Sequence, residues 1–215
     1  MNLPILKLDF TNNLESSFID FWSEYYNYAK IEHFYDDTIQ LSTFSADDIK
    51  MLFEWKNGMK LNGHVPKEAS VNKVLSKLDI VNQLKSKFDI TTFNSNFNGM
   101  SAIWKLFLLH IIRPCQYPIF DQHVYRAHFF IVNKEIKEIK ESNKYKEEYY
   151  FKTYMPYYHS LTSLEPDLRK IDKALWSFGK FLKTHYATKL MSEPLEGQDT
   201  ILPKKLNEEQ HQYNS

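Results

Sequence analysis

The sequence predicts a single all-α domain on three observations. Apolar residues recur at the three- and four-residue spacing of amphipathic helices in several stretches of the chain. No segment alternates apolar and polar residues over the length that a strand requires. Glycine occurs only 5 times in 215 residues, which disfavours folds with many tight hairpins. We expect seven to nine helices within residues 1–190 and a polar, poorly ordered tail over residues 191–215.

Cap residues and apolar spacing place the helices along the chain. Helices are predicted over residues 14–30, 46–57, 71–88, 101–112, 122–142, 145–158 and 171–186. Ser45, Ser70 and Asp121 precede three of them, and their side-chain oxygens can accept hydrogen bonds from the first helical turn. The polar stretch 91–98 is predicted to be a loop. The charged stretch 134–142 is predicted to continue its helix as a solvated extension.

Proline and the apolar pattern define the elements of the second half. The helix over residues 101–112 should stop before Arg113, because a residue that precedes proline is disfavoured in helical conformation. The stretch 145–158 holds six tyrosines and is predicted to be helical in spite of Pro156. The last predicted helix has a clear apolar face, formed by Ile171, Leu175, Phe178 and Leu182.

The net charge of zero hides an uneven distribution. Residues 1–50 carry 3 Lys against 9 Asp and Glu, whereas residues 51–190 carry 22 Lys and Arg against 13 Asp and Glu. A basic body therefore follows an acidic N-terminal part. Such a body suits a polyanionic partner, because lysine and arginine contacts to phosphates drive sequence-independent binding of nucleic acids. The alternative is that the lysine-rich helices present ordinary solvated faces.

Several classes of protein are disfavoured by what the sequence lacks. A single cysteine, Cys115, excludes a disulfide framework and any cysteine-held metal cluster, and it is typical of a reducing compartment. His123 and His128 are five residues apart rather than the four of a helical zinc pair, so we expect no metal. The sequence has no P-loop or dinucleotide-binding motif, and we expect no cofactor. The N-terminus lacks the pattern of a signal peptide, and the apolar stretch 103–112 is too short to span a bilayer. We expect a cytoplasmic protein without a membrane span.

The stretch 97–127 carries the pattern that bears most on function. The letters FNGMS at 97–101 open one predicted helix, and FDQHVYR at 120–126 open the next. This arrangement resembles the centre of the helix-hairpin-helix DNA glycosylases, the superfamily of endonuclease III. In that family a hairpin of the type L-P-G-V-G precedes a segment like V-D-T-H-V-x-R. Counting back from Asp121 places Gly99 and Ser101 on the two hairpin glycines.

The resemblance implies the helix-hairpin-helix glycosylase fold and hydrolytic removal of a damaged or modified base from double-stranded DNA. Asp121 would be the carboxylate that stabilises positive charge on the sugar or activates a water. His123 would orient Asp121 or cap a neighbouring helix. The residues expected to contact DNA are Gly99, Ser101, Lys105 and Arg126, the last with a structural ion pair as its alternative role. A glycine in the hairpin lets the backbone approach a phosphate closely.

A base that is flipped out of the duplex needs a pocket with stacking walls. By residue type and position in the sequence, the candidates for these walls are Phe53, Trp55, Trp104, Tyr125 and Trp176. The alternative for each tryptophan is a place in the hydrophobic core.

Two departures from the family pattern limit the implied activity. Members that also cut the strand carry a nucleophilic lysine where Ile103 stands, so we expect no lyase activity. Lys105 lies two residues further on, which is about 200° around a helix, so it faces away from the position of the nucleophile. Ser101 replaces a hairpin glycine, and serine with a positive φ would cost about 1 kcal/mol. The degenerate hairpin favours a second hypothesis, a non-catalytic domain of the same fold that binds DNA or a protein, in which Asp121 is simply an N-cap and Gly99 a turn residue.

Overall fold

The computed structural model describes residues 16–27, 31–61, 65–185 and 187, and this part of the chain contains eleven α-helices and no strand. The helices are α1 Ser16–Glu24, α2 Glu32–Asp36, α3 Ala46–Asn57, α4 Val65–Leu75, α5 Leu78–Ser86, α6 Ile90–Phe97, α7 Ala102–Ile112, α8 Gln122–Asn133, α9 Asn143–Tyr149, α10 Met155–Leu161 and α11 Leu168–Phe181. The all-α prediction is confirmed for these residues. The predicted tail, 191–215, lies outside them.

Helix α3 begins and ends where the sequence predicts. The Ser45 side chain accepts a hydrogen bond from the backbone N–H of Asp48, and the Asp48 carboxylate accepts one from the backbone N–H of Ser45. This reciprocal pair satisfies two N–H groups that have no partner within the helix. The helix ends at Gly58, whose φ of 76° is a left-handed conformation that glycine adopts without a steric penalty. The α3 residues Trp55 and Lys56 are therefore held close to a fixed helix end.

The predicted helix over residues 71–88 is wrong, because the chain forms two helices there. Ser70 lies inside α4 rather than at its start, and the chain leaves helical conformation at Lys77, with φ −127° and ψ 29°. The Lys77 ammonium donates a 2.8 Å hydrogen bond to the carbonyl of Asn96. The break thus coincides with a contact to a distant part of the chain, which the apolar pattern does not encode.

The predicted loop over residues 91–98 is also wrong, because α6 occupies it. The Asp89 carboxylate caps this helix by accepting hydrogen bonds from the backbone N–H groups of Thr91 and Thr92. Phe93 and Phe97 are four residues apart, lie on one face and are buried. A single pair of buried aromatic side chains anchors this short helix in an otherwise polar stretch.

The predicted solvated extension of α8 does not form. The helix ends at Asn133, and Lys134 takes a left-handed conformation with φ 60°. The chain then turns back, so that the Glu138 carboxylate accepts hydrogen bonds from the guanidinium of Arg126. The tyrosine-rich stretch 145–158 is helical as predicted, and a π-helical turn at Tyr150–Tyr154 connects α9 to α10 just before Pro156. Proline has no N–H to donate, and a π turn accommodates the missing hydrogen bond.

Helix α7 lies at the centre of the fold, between two hydrophobic clusters. Its side chains are buried almost all round, and the clusters on either side of it are built mainly from α3, α5 and α6 and from α1, α8 and α11. Helix α11 packs between α1 and α8. Gly179 of α11 lies directly against the α8 backbone, because a Cβ at this position would be 1.8 Å from the carbonyl oxygen of His123. This close approach fixes the first turn of α8, where Asp121 lies.

Candidate functional site

Asp121 is the N-cap of α8, as its position in the sequence predicts. Its Oδ1 accepts hydrogen bonds from the backbone N–H groups of His123, at 2.8 Å, and Val124, at 3.0 Å. Its Oδ2 accepts a hydrogen bond from the Lys56 ammonium, 3.0 Å away on α3. The Lys56 side chain is only 6% exposed. The carboxylate is thus oriented by two independent elements, the start of α8 and the end of α3.

Asp121 lines a pocket between the two hydrophobic clusters, which we call the Asp121 pocket. Its aromatic walls are Tyr26, Trp55 and Trp176, and its charged side chains are Lys56, Asp121, Arg169 and Asp172. The rings of Tyr26 and Trp176 meet edge to face, with their centroids 5.3 Å apart. The space inside is about 20 Å³, which is enough for one water molecule and too small for a nucleobase.

Arg169 and Glu32 hold the walls of the Asp121 pocket in place. The Arg169 guanidinium donates to the Glu32 carboxylate at 2.6 Å and to the Tyr26 hydroxyl at 2.9 Å. The other Glu32 oxygen accepts a 2.8 Å hydrogen bond from the indole N–H of Trp55. The guanidinium also lies over the Trp55 ring, 5.2 Å from its centroid. One charged pair therefore positions two of the three aromatic walls.

The two carboxyl groups of the Asp121 pocket have opposite pKa shifts. Burial alone would raise the pKa of Asp121, but the Lys56 ammonium and the backbone N–H of Val124 outweigh it, so that the pKa lies below its usual value. Burial raises the pKa of Asp172 to about 7, against the opposing effects of Arg169 and Lys56. At neutral pH one carboxyl group is ionised and the other holds a proton for much of the time. Such a pair can separate the roles of charge stabiliser and proton donor.

Two of the five aromatic residues predicted for the pocket are there, and three are not. Trp55 and Trp176 line the Asp121 pocket. Phe53 instead stacks on Trp104 within the core, with centroids 5.1 Å apart and ring planes inclined by 7°. Tyr125 is buried in the other cluster, where its hydroxyl is 2.9 Å from that of Tyr145. Residue type alone could not separate wall from core, because both environments favour large aromatic rings.

Arg126 and Lys105 do not face solvent, which corrects their assignment as DNA contacts. Arg126 is 0% exposed, and its guanidinium donates to the Glu138 carboxylate at 2.9 and 2.7 Å and to the Gly179 carbonyl at 2.7 Å. Lys105 is buried and pairs with Glu147 at 2.9 Å. These cations already have protein partners, so a phosphate would have to displace them. Of the alternatives for Arg126, the geometry supports the structural ion pair.

His123 is linked to Asp121 through its backbone rather than its ring. Its N–H donates to Asp121, while its ring nitrogen Nδ1 lies 3.2 Å from a guanidinium nitrogen of Arg126. Because the guanidinium can only donate, Nδ1 must accept and the imidazole is neutral in this arrangement. Burial lowers the pKa of His123, and the nearby Asp121 only partly opposes it. The imidazole therefore supports Arg126, and the peptide group orients the carboxylate.

The connection between α6 and α7 is a short hairpin. Asn98 has φ −58°, within the range to which proline is restricted, and Gly99 has φ 76°. Ser101 has φ −60°, so the strain expected at this serine is absent. The Lys73 ammonium donates to the carbonyl of Asn98. A Cβ atom added at Gly99 would lie 3.6 Å from Lys73 Nζ. The backbone N–H of Ala102, the first residue of α7, donates to Asn143 Oδ1 at 3.0 Å.

Four residues of the Asp121 pocket have no signal in the sequence motif that predicts Asp121. They are Tyr26, Lys56, Arg169 and Asp172. Asp172 could have been noticed, because it is three residues before Leu175 and so lies on the apolar face of its helix. A carboxylate on such a face is rare unless it is paired or functional.

The described residues contain neither a metal-binding cluster nor a membrane-spanning helix. No three His, Cys, Asp or Glu side chains among them are grouped so as to hold a metal ion. No helix in this part of the chain combines the length and apolar character needed to cross a bilayer. No known protein family, curated protein or solved structure matches the chain.

Proposed function

We propose that the protein hydrolyses the N-glycosidic bond of a damaged or modified base in double-stranded DNA, with Asp121 as the essential carboxylate. One observation carries this proposal. The Asp121 carboxylate faces a pocket with the indole walls Trp55 and Trp176, at the position where the sequence resembles the helix-hairpin-helix glycosylases. A helix-capping aspartate needs no such pocket, whereas a glycosidic carboxylate does.

The charge of Asp121 suits the chemistry of this bond. When the bond between the sugar carbon and the base nitrogen breaks, positive charge develops on the sugar, and a fixed carboxylate stabilises it. Lys56 and the first N–H groups of α8 keep Asp121 ionised and correctly oriented. A carboxylate that is already held in position does not have to reorganise during the reaction.

The hairpin between α6 and α7 supports DNA as the partner. The φ angles of Asn98 and Gly99 are compatible with a Pro-Gly turn, and Gly99 has no side chain of its own to keep a phosphate from its backbone. The Lys73 ammonium lies beside the same turn and adds positive charge there. The N-terminus of α7 follows immediately; the N–H of Ala102 already donates to Asn143, and the helix dipole still favours negative charge there.

Binding of a base requires the Asp121 pocket to open. The closed space of about 20 Å³ does not admit a purine or a pyrimidine. Two of the aromatic walls, Tyr26 and Trp176, touch each other edge to face. Separation of these two rings would widen the pocket. A base that entered between Trp55 and Trp176 would then be stacked and shielded from water.

The proposal is tested by release of bases from defined duplexes. The substrates are duplexes with uracil, 8-oxoguanine, adenine opposite 8-oxoguanine, alkylated purines and modified cytosines of the kind found in phage DNA, and alkali reveals abasic sites. Asp121→Asn keeps a good N-cap residue but removes the charge, and it should lower release by about 100-fold or more. Asp89→Asn is the matched control, because Asp89 caps α6 in the same way away from the pocket. It should leave release unchanged.

A second candidate function is a DNA-binding domain without catalysis. Both oxygens of Asp121 already have hydrogen-bond partners, and the pocket is closed. Salt-sensitive DNA binding in the absence of base release from every duplex would favour this second function.

A further inference from the structure

Asp172 is a second buried carboxyl group in the Asp121 pocket, and the role proposed for Asp121 does not account for it. It lies on α11, is 4% exposed and lines the pocket. The backbone N–H of Ile119 donates a hydrogen bond to it. Its Oδ1 has no hydrogen-bond partner among the described residues. Buried polar atoms are almost always paired, so an unpaired carboxyl oxygen on a residue that lines a pocket indicates a role toward something that enters the pocket.

The groups around Asp172 determine its protonation state. Two cations face it, Lys56 from α3 and Arg169 from α11, and one carboxylate, Asp121, faces it from the start of α8. The phenol groups that face it from α2, the π-helical turn and α10 are Tyr35, Tyr150, Tyr154 and Tyr158. Burial raises the pKa of each of these phenols, so they stay neutral at working pH. Lys56 and Arg169 have Asp121 and Glu32 as their closer partners.

Burial outweighs the two cations and raises the pKa of Asp172. Neither cation forms an ion pair with its carboxyl group within the described residues, and the burial of this group disfavours its ionised form. Its pKa of about 7 places the carboxylic acid and the carboxylate in comparable amounts near neutral pH. Near neutral pH the Asp121 pocket is therefore lined by an ionised carboxylate and by a second carboxyl group that is protonated for part of the time, and two such groups can divide the roles of charge stabiliser and proton donor.

We propose that Asp172 is the general acid for the reaction assigned to this pocket, and that it donates its carboxyl proton to the departing base; this inference rests on the proposed function. The bond between the sugar carbon and the base nitrogen breaks, and its electron pair stays with the base. The base receives the Asp172 proton and leaves as a neutral molecule. Water adds to the sugar carbon and releases one proton to solvent, from which Asp172 regains a proton. The net change is the addition of one water across the bond.

A comparison of two leaving groups tests this assignment. Hypoxanthine is neutral in DNA and leaves readily only when it is protonated, whereas 7-methylguanine is already cationic and leaves as a neutral base without a proton donor. Asp172→Asn should therefore lower release of hypoxanthine by about 100-fold or more, which is the usual contribution of general acid catalysis. It should change release of 7-methylguanine by less than about threefold. Asp121→Asn should lower release of both bases, because both reactions place positive charge on the sugar.

The outcomes separate this inference from the proposed function. If Asp172→Asn lowers the release of both bases equally, or lowers the release of neither, the assignment is overturned while the proposed function stands. Release of 7-methylguanine alone by the unchanged protein also overturns it, because no proton donor is then in use. Where hypoxanthine alone is released, the rate of its release is measured as a function of pH. A fall in this rate at alkaline pH that disappears in Asp172→Asn supports the assignment. A fall that Asp172→Asn retains overturns it. No release of any base by the unchanged protein rejects the proposed function, and the inference with it.

A titration that does not depend on turnover provides a second readout. The ¹³C resonance of the Asp172 side-chain carboxyl group, assigned by its loss in Asp172→Asn, is followed from pH 4 to pH 9 in the full chain. A midpoint between pH 6 and pH 8 is expected for a proton donor that works near neutral pH. A midpoint near pH 4 would mean that Asp172 is ionised when the protein works, and the assignment would be overturned.

Discussion

The ammonium of Lys56 and the carboxylate of Asp121 lie 3.0 Å apart, although 65 residues separate them in the chain. This pair joins the end of α3 to the start of α8, and so connects the two hydrophobic clusters on either side of α7. It also keeps ionised the one carboxylate that the sequence predicts to be functional. Stability and proposed activity therefore depend on the same contact.

Replacement of Lys56 by methionine should leave Asp121 without its counter-ion. Removal of one partner of a buried ion pair costs about 3–5 kcal/mol in the free energy of unfolding. Burial would then raise the pKa of Asp121, so the loss should be greatest above pH 5 and smaller near pH 4, where the carboxylate can take up a proton. Urea unfolding at both pH values measures this difference. Lys50→Met is the control, because the Lys50–Asp47 pair is exposed and its removal should cost less than about 1 kcal/mol.

Gly179→Ala should destabilise the protein strongly. The added methyl group would lie 1.8 Å from the carbonyl oxygen of His123, so α8 and α11 would have to move apart. Overpacking of this kind costs about 1–3 kcal/mol or more. Ser177→Ala, on the same helix, removes a buried hydroxyl that has no partner among the described residues, and it should be neutral or slightly stabilising. Similar midpoints for the two variants in thermal unfolding would contradict this account of α11 packing.

Glu138→Gln should show that Arg126 is a structural residue. The substitution leaves the fully buried guanidinium without its carboxylate, and we expect the free energy of unfolding to fall by about 2 kcal/mol. Glu135→Gln, in the same connecting segment, is the control for the general loss of a negative charge. DNA affinity of the folded Glu138→Gln protein should match that of the Glu135→Gln protein. A marked increase for Glu138→Gln alone would indicate that Arg126 becomes available to phosphate.

His110 should make the protein less stable in mild acid. Its Nδ1–H donates to the Tyr117 carbonyl, its Nε2 accepts from the Tyr35 hydroxyl, both at 2.7 Å, and burial lowers its pKa to about 3. The unfolded chain takes up this proton near pH 6.5, so the stability that the neutral ring provides is complete above that pH and is lost as the pH falls toward 3. Between pH 7 and pH 5 this linkage amounts to about 2 kcal/mol.

The variant His110→Gln isolates this effect from that of His128, whose pKa burial lowers to about 4. The free energy of unfolding of His110→Gln should fall less between pH 7 and pH 5 than that of the unchanged protein. An equal fall in both proteins would mean that His110 is not the group that takes up the proton.

Asp172→Asn should have the opposite dependence on pH. A carboxyl group with a raised pKa in the folded state lowers stability progressively as the pH rises from about 4 to about 7. Removal of the carboxylate should therefore stabilise the protein at pH 8, by at most about 4 kcal/mol, and have little effect at pH 4. Chemical unfolding at the two pH values measures the difference. Destabilisation at pH 8 would contradict the view that Asp172 is a strained, buried acid.

The fold was predictable where local signals are complete. Helices α3 and α8 have a capping side chain and a long apolar face within a few residues of each other; α3 forms as expected, and α8 begins as expected but ends at Asn133, before its predicted end. Helix α6 has only Phe93 and Phe97 to mark it, and the break at Lys77 coincides with a contact to Asn96 that no local pattern contains. Those two errors come from tertiary contacts that decide between nearly equal local alternatives.

The site was predictable in part for the same reason. Asp121 follows from its motif, and Trp55 and Trp176 from their residue type. Lys56 and Arg169 reach the pocket through partners that lie 65 and 137 residues away in the chain. A single sequence does not show which lysine or arginine side chains are buried against a distant partner and which are exposed to solvent. The ion pair of Arg126 was one of its two predicted roles, but its partner Glu138 was not predicted, and neither was the pair of Lys105 with Glu147.

The central claim is that the charge of Asp121, and not only its role as a helix cap, serves breakage of an N-glycosidic bond. The most direct measurement compares single-turnover base release by the unchanged protein, Asp121→Asn and Asp89→Asn on the same duplexes, each protein first shown to be folded by circular dichroism. The account predicts release by the unchanged protein and Asp89→Asn, and a loss of about 100-fold or more in Asp121→Asn. Equal release by all three proteins, or no release by any of them, would contradict it.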